Sequence, residues 1–136
     1  MIYGIGTDIV PIDRIARILA RHGDRFLRRT FTPAEIARGG LCHTPHQVAA
    51  HFAKRFAAKE AYAKALGTGI RDGVTLRDIG VENDGLGRPS LVVHRKAQQM
   101  LHDLMRDGHS PILHLSLSDS DTAAQAFVMI EGRQTP

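Results

Sequence analysis

The sequence predicts an α+β fold: a small single domain in which an antiparallel sheet packs against a long central helix. Strand-like runs come in turn-linked pairs, which is typical of hairpins, and the helical segments lie apart from them instead of alternating with them. An Ala-rich stretch, residues 47–66, is the longest helical segment. The chain has 136 residues, of which 43% are hydrophobic, so we expect one domain spanning residues 1–136.

Each element follows from its local pattern. Residues 2–10 resemble a strand, and residues 12–29 place apolar side chains three and four apart, which predicts a helix that Gly23 interrupts. TPAE, residues 32–35, indicates a capping box with Pro at the first helical position of a short helix that runs through about Arg38. The other predicted elements are a loop at 41–47, the central helix from Gln47 to Leu66 closed by Gly67, strands at 79–83 and 90–94, a helix at 95–107, and strands at 112–118 and 123–131.

Composition narrows the classes of partner. The formal net charge of +4 favours an acidic partner, which is a nucleic acid, a phosphorylated ligand or an acidic protein. Cys42 is the only cysteine and cannot form an internal disulfide, which is typical of a reducing compartment. We find no signal-peptide pattern and no run near the roughly 20 apolar residues that a membrane span needs. We therefore expect a cytoplasmic protein.

Two carboxylates stand at positions that otherwise face a core. Asp8 lies within the apolar strand GIGTDIV, and Glu60 shares a helix face with Phe56 and Ala63 at about 100° per residue. Close carboxylates repel unless a proton or a cation lies between them, and Mg²⁺ is a fitting cation because it takes carboxylate, water and phosphate oxygens. In the alternative, Asp8 faces solvent and Glu60 pairs with Lys64 four residues later.

Basic residues surround Glu60 in sequence, namely Lys54, Arg55, Lys59 and Lys64. This set could bind a phosphate, or it could be a solvated helix face. The glycine-rich loop 67–71 follows the helix C-terminus, where the macrodipole disfavours anions, so lysines would have to supply the attraction.

A second basic feature lies on the N-terminal helix. Its arginines recur three and four residues apart and cover roughly an 80° arc opposite the apolar side chains. The arc suits an acidic helix, a nucleic acid or solvent, although no interleaved aromatic side chains favour stacking on single-stranded bases. We call these residues the arginine stripe: Arg14, Arg17, Arg21, Arg25 and Arg28.

Five blocks in order resemble the holo-acyl-carrier-protein synthase family, the small phosphopantetheinyl transferases. They are GIGTDIVPIDRI, FTPAEI, RFAAKEAYAKALGTGI, DIGVENDGLGRPSLVV and HLSLSDSDTAAQAFVMIE. The resemblance implies transfer of 4′-phosphopantetheine from coenzyme A to a serine of apo acyl carrier protein in fatty acid biosynthesis, with release of adenosine 3′,5′-bisphosphate. It also implies a homotrimer with active sites between subunits, and no nucleic-acid or membrane partner.

The same resemblance implies site residues. Asp8, Glu60 and Lys64 match catalytic positions, and Asp8 and Glu60 match ligands of Mg²⁺. The arginine stripe matches the helix that docks the acidic carrier protein. Many members carry a histidine where Asp119 stands, so no role is carried over to that side chain. The matching coenzyme A contacts are Lys64, Gly67, Thr68, Gly69, Ile70, Asn83, Pro89, His114 and Ser116.

The implied chemistry is attack of an alcohol on the β-phosphorus of a pyrophosphate, where catalysis consists mainly of positioning and charge neutralisation. The serine proton goes to Glu60 or to a metal-held water, and the sequence does not choose between them. Two other functions remain open on the residues alone: another Mg²⁺-dependent enzyme acting on a nucleotide, and a non-catalytic basic module that binds RNA.

Overall fold

The protein is described by a computed structural model that covers residues 1–71 and 73–136. It has the predicted α+β fold. A three-stranded antiparallel sheet packs against a long helix, and a two-stranded hairpin with further helices lies beside them. The strands are β1 Ile2–Pro11, β2 Ile79–Asn83, β3 Pro89–Val93, β4 His109–Asp119 and β5 Ala123–Gln134. The helices are α1 Ile12–Thr30, α2 Pro33–Gly39, α3 Pro45–Leu66 and α4 Arg95–Leu104, with a 3₁₀ turn at Leu76–Asp78.

The main sheet has the strand order β1-β5-β4, so the last strand lies in the middle. Ala126 of β5 pairs with Asp8 on one side and with Leu117 on the other. Since side chains alternate across a sheet, these residues share one face. That inner face packs against α3, and the buried side chains Ala124, Val128 and Ile130 lie on it.

Helix α3 is the centre of the core. We predicted one buried face, but this helix is buried nearly all round, because β1 and β5 pack on one side and α1, α2 and β2 pack on others. Small side chains let β1 lie close to it. A Cβ on Gly4 or Gly6 would meet the carbonyl oxygens of Ala65 or Ala61 at 1.9 Å, so only glycine permits this approach.

The predicted capping box before α2 is confirmed. The Thr32 hydroxyl accepts from the Glu35 backbone N–H, and the Glu35 carboxylate accepts from the Thr32 N–H. A second box was missed: Thr44 and Gln47 cap α3, which therefore begins at Pro45 within the stretch predicted as a loop.

The predicted interruption of α1 is confirmed at Gly23, whose φ of 46° and ψ of −124° break the helix into two segments. The other bounds agree with the predicted ones to within about three residues, and the largest differences are at the start of β4 and at the ends of α4 and β5. Among the described residues, we find no helix with the length and apolar character to span a membrane.

Candidate active site

Asp8 lies on the inner face of the main sheet. It follows the buried Gly6 and precedes the buried Val10 in the alternation of β1, so its side chain points towards α3. Only 19% of the side chain is exposed. This position accounts for a carboxylate in an apolar strand, because a charged group lies opposite it on the helix.

That group is Lys64. Its Nζ lies 3.0 Å from Asp8 Oδ1 and donates a second hydrogen bond, also of 3.0 Å, to the carbonyl oxygen of Thr7. The Lys64 side chain is 56% exposed, so part of the ammonium remains open to a ligand. The alternative in which Asp8 faces solvent and Glu60 pairs with Lys64 is not observed. Asp8 is mostly buried, and Lys64 pairs with Asp8.

Glu60 lies one helical turn before Lys64 and is partly buried. Burial raises the pKa of its carboxyl above the ordinary value, and the negative charge of Asp8 raises it further, while the Lys64 and Arg14 charges oppose the shift. Arg14 approaches from α1, with its guanidinium carbon 5.8 Å from the centre of the Phe56 ring. The two predicted carboxylates are therefore brought into one electrostatic cluster.

The glycine-rich loop continues directly from this cluster. Gly67 ends α3 in the left-handed conformation at φ 84°, as predicted for a C-terminal cap, and its N–H donates to the Lys64 carbonyl. Gly69 also has a positive φ, 71°, and its N–H donates to the Ala63 carbonyl at 3.2 Å. The Thr68 hydroxyl donates to the Gly69 carbonyl. The chain thus folds back over the helix end beside Lys64.

Lys59 fits neither alternative given for the basic residues around Glu60, since it lies neither at a phosphate site nor on a solvated helix face. Its side chain is fully buried, and its ammonium contacts Glu35 Oε1 at 2.7 Å and donates to the Leu76 and Ile79 carbonyls. Glu35 Oε2 accepts from the Val81 N–H at 3.1 Å. This ion pair joins α2, α3 and β2, and burial is the main reason that the pKa of Lys59 is lowered.

Arg55 is also buried, with 4% of its surface exposed. It donates to the His51 carbonyl and, at 3.0 Å, to the side-chain oxygen of Asn83, while its Nε has no partner among the described residues. Asn83 also donates to the Gly87 carbonyl and pairs with Pro89 across the β2–β3 hairpin. The predicted coenzyme A contacts Asn83 and Pro89 therefore lie on the hairpin, next to Arg55.

His114 and Ser116 lie on the opposite face of the sheet from Asp8. They pair with Met129 and Phe127, which point outward. His114 Nε2 is 2.9 Å from Glu131 Oε1. A single chain therefore does not bring these two predicted coenzyme A contacts together with Asp8, Glu60 and Lys64.

The arginine stripe is exposed but is not one straight row. The break at Gly23 separates Arg14, Arg17 and Arg21 from Arg25 and Arg28. The first three line a small groove, and the last two line a larger cleft. Arg17 forms an exposed ion pair with Asp13.

An α+β fold that presents two carboxylates and a lysine beside a glycine-rich helix end has the groups that bind a phosphorylated ligand. A family model described as the 4′-phosphopantetheinyl transferase superfamily matches residues 4–115. The chain belongs to this family.

Known proteins match this chain in sequence or in fold over nearly its whole length. A protein of Rhodopseudomonas palustris (strain BisA53), named holo-[acyl-carrier-protein] synthase, is 50% identical over 131 residues, 96% of this chain and 94% of the relative. The crystal structure of holo-[acyl-carrier-protein] synthase from Neisseria meningitidis has a TM-score of 0.81 at 43% identity, covering 96% of this chain and 99% of that one. A Bacillus anthracis holo-(acyl-carrier-protein) synthase in complex with CoA (3′,5′-ADP) has a TM-score of 0.75 at 38% identity, with 96% of each chain covered.

Proposed function

We propose that the chain is a holo-[acyl-carrier-protein] synthase. It transfers 4′-phosphopantetheine from coenzyme A to a serine of apo acyl carrier protein, as a step of fatty acid biosynthesis, and releases adenosine 3′,5′-bisphosphate. The observation that supports this most directly is the cluster of Asp8, Glu60 and Lys64 in a chain 50% identical to a protein of that name. The family membership and the coenzyme A complex of a relative point to the same ligand.

The carboxylates fit a Mg²⁺ ion by their chemistry. Asp8 and Glu60 offer hard oxygen donors, and the pKa of Glu60 is raised first by burial and then by the negative charge of Asp8, both of which a bound divalent cation would offset. In the described residues no third acidic, histidine or cysteine ligand joins them, which leaves coordination positions for water and phosphate. When bound there, Mg²⁺ supplies positive charge that offsets charge developing on the pyrophosphate.

The chain's own side chains then have separable roles. Lys64 places an ammonium at the end of α3, where it attracts the phosphate oxygens of coenzyme A and stabilises charge on the departing phosphate. Glu60 accepts the serine proton, directly or through water, because a raised carboxyl pKa makes it a better proton acceptor near neutral pH. Gly67 and Gly69 let the loop backbone approach the ligand closely.

A homotrimer is part of the proposal. The outer face of the main sheet exposes large apolar side chains, including Ile5 at 58%, Ile9 at 63% and Phe127 at 38%. Such a face is typical of a surface covered by another subunit. His114 and Ser116 lie on this same face, so a neighbouring copy seated on it would bring them to a site that one chain leaves incomplete. Asn83 and Pro89 bind coenzyme A from the hairpin.

Carrier docking by the arginine stripe also belongs to the proposal, as does a cytoplasmic location. The stripe is exposed and basic, which suits an acidic helical carrier. The test is to incubate the protein with apo acyl carrier protein, coenzyme A and Mg²⁺ and then measure the carrier's mass. A gain equal to one phosphopantetheine, absent when the carrier serine is replaced by alanine, supports the proposal. If the carrier mass does not change although the carrier and coenzyme A are known to be competent substrates, the result contradicts the proposed function.

A further inference from the structure

A large cleft opens on the side of the molecule beyond the Gly23 break. It has a volume of about 1420 Å³ and lies between the second half of α1, the start of α2, the β2–β3 hairpin and the start of α4. Three elements contribute basic side chains to its walls. These are Arg25, Arg28 and Arg29 from α1, Arg77 from the 3₁₀ turn, and Arg95 from α4.

The charge of this cleft is largely uncompensated. None of the five arginines forms an ion pair with residues 1–71 or 73–136, the part of the chain that the structure describes. Asp78 and Glu82 are the carboxylates in the cleft lining. Asp78 is buried and accepts a hydrogen bond from the Thr75 backbone N–H, and the five arginines outnumber the two carboxylates of the lining. A strongly positive concave surface attracts an acidic partner.

The lining also contains apolar side chains, which indicate a partner that presents an apolar surface as well as negative charge. Phe26, Leu76 and Val92 are half-buried and line the cleft between the arginines. An apolar lining with basic side chains around it fits a polypeptide helix that has one apolar and one acidic side. A nucleic acid is less well matched, because a single phenylalanine in the lining provides little surface for stacking bases.

The cleft continues the groove lined by the first part of the arginine stripe. His22, just before the break at Gly23, lines both the small groove of Arg14, Arg17 and Arg21 and the large cleft. A partner lying along α1 would therefore pass from one to the other. The break redirects the second half of the helix, so this partner would meet the opposite wall formed by Arg77 and Arg95.

We infer that this cleft is part of the carrier-recognition surface and that Arg29, Arg77 and Arg95 contact acidic side chains of the carrier protein. This rests on the proposed function, in which the carrier is acidic and helical. The inference extends the docking surface from α1 alone to α1, the 3₁₀ turn and α4. Arginines on α1 and arginines on the other two elements would contact the partner from different sides, so the cleft selects the partner's orientation as well as its charge.

The backbone at Arg95 supports the assignment. Arg95 has a φ of 49°, and it is the one non-glycine residue of the described chain with a positive φ. Such a conformation is strained for a residue with a side chain and is relieved by glycine. We therefore expect Arg95→Gly to raise the melting temperature while weakening carrier binding, a combination that a purely structural role for Arg95 does not give.

The experiment measures binding of fluorescently labelled apo carrier protein, without coenzyme A, and transfer kinetics in parallel. Arg77→Glu combined with Arg95→Glu should weaken carrier binding and raise the carrier KM by about tenfold, with the coenzyme A KM unchanged. The control is Lys96→Glu combined with Arg106→Glu, which changes the net charge equally at exposed positions outside the cleft. It should have a much smaller effect.

The outcomes separate the two proposals. If the wild-type protein modifies the carrier but the cleft variant binds it as the control does, the cleft inference is wrong and the proposed function stands. If the wild-type protein binds the carrier through the cleft without modifying it, the proposed function is wrong and the cleft inference stands. Tighter binding of a labelled single-stranded RNA than of the carrier, lost in the cleft variant, would also overturn the inference.

Discussion

Lys64 Nζ lies 3.0 Å from Asp8 Oδ1 and thereby joins the end of α3 to the middle of β1. The ammonium and the neighbouring Glu60 approach the same carboxylate from successive turns of one helix. An ion placed between Asp8 and Glu60 would therefore share Asp8 with Lys64. In the proposed site, metal binding, phosphate binding and the protonation of Glu60 would therefore depend on one another.

We expect Asp8→Asn and Glu60→Gln each to abolish phosphopantetheine transfer at low Mg²⁺ without unfolding the protein. Glu60→Gln should also raise the melting temperature of the metal-free protein, because it removes a buried charge that Asp8 repels. Mg²⁺ binding by calorimetry and transfer activity are the measurements, with Asp103→Asn as an exposed control. A variant of Asp8 or Glu60 with normal activity and normal Mg²⁺ dependence would show that the site is wrongly assigned.

Lys64→Ala should weaken coenzyme A binding by about fivefold at low salt, and the difference from wild type should shrink as salt is added. The reason is the position of the ammonium beside the loop of Gly67 and Gly69, where phosphate oxygens would approach. Calorimetric titration with coenzyme A measures the effect, and Lys96→Ala is the control. Unchanged affinity at low salt would argue against Lys64 as a phosphate ligand.

Local signals in the sequence were sufficient for most of the fold. The capping box of Thr32 and Glu35, the left-handed Gly67 and the interruption at Gly23 each follow from a few neighbouring residues. The start of α3 was missed because residues 41–47 contain few apolar side chains, although Thr44, Pro45 and Gln47 have the same capping chemistry as the box before α2.

What the sequence could not provide were contacts between distant residues. Lys59 looked like a member of a cationic set, yet its partner Glu35 lies 24 residues earlier. Nothing local distinguishes a lysine that meets a buried carboxylate from one that faces solvent. The opposite placement of Asp8 and His114 across the sheet likewise depends on the register between strands, which the pattern of one strand does not define.

The ion pair of Glu35 and Lys59 should be essential for stability. Lys59→Met leaves the Glu35 carboxylate buried without its counter-charge, and we expect a loss of about 3–5 kcal/mol in the free energy of unfolding. Adding Glu35→Gln should recover part of it, since the second change removes the uncompensated charge. Urea unfolding of both single variants and the double variant gives the coupling. Additive losses would mean that the two groups do not stabilise each other.

His51 should make stability fall in mild acid. It is buried, its Nε2–H donates to the Glu35 carbonyl at 2.9 Å, and burial with the nearby Arg55, Lys54 and Arg38 charges lowers its pKa from 6.5 to about 4. Below pH 6.5 the unfolded state binds a proton that the folded state does not, so stability is lost as the pH falls towards 4, by up to about 3 kcal/mol.

The comparison that isolates His51 is His51→Gln, whose amide can still donate to the Glu35 carbonyl but does not titrate. The difference in unfolding free energy between wild type and this variant should shift in favour of the variant as the pH is lowered from 7 to 4. A difference that stays constant over this range would show that His51 is not the titrating group.

Charge reversal on the arginine stripe should affect the carrier more than coenzyme A. Exposed ion pairs contribute about 0.2–1 kcal/mol each, and reversal adds repulsion, so Arg21→Glu should raise the carrier KM by about threefold to tenfold and more than Arg21→Ala does. The coenzyme A KM should change little. For the wild-type enzyme, kcat/KM should fall steeply with salt if the stripe steers an acidic partner as proposed.

Arg14→Glu should differ from Arg21→Glu in a way that the structure defines. Arg14 lies beside Phe56 and opposes the rise in the pKa of Glu60, whereas Arg21 lines the small groove and is not among the charges that shift this pKa. Reversal at Arg14 should therefore raise the carrier KM and also change kcat and its pH profile, through a further rise in the pKa of Glu60. Steady-state kinetics over a range of pH distinguishes the two variants. If both leave the carrier KM at its wild-type value, the stripe is a solvated surface and the carrier docks on another face.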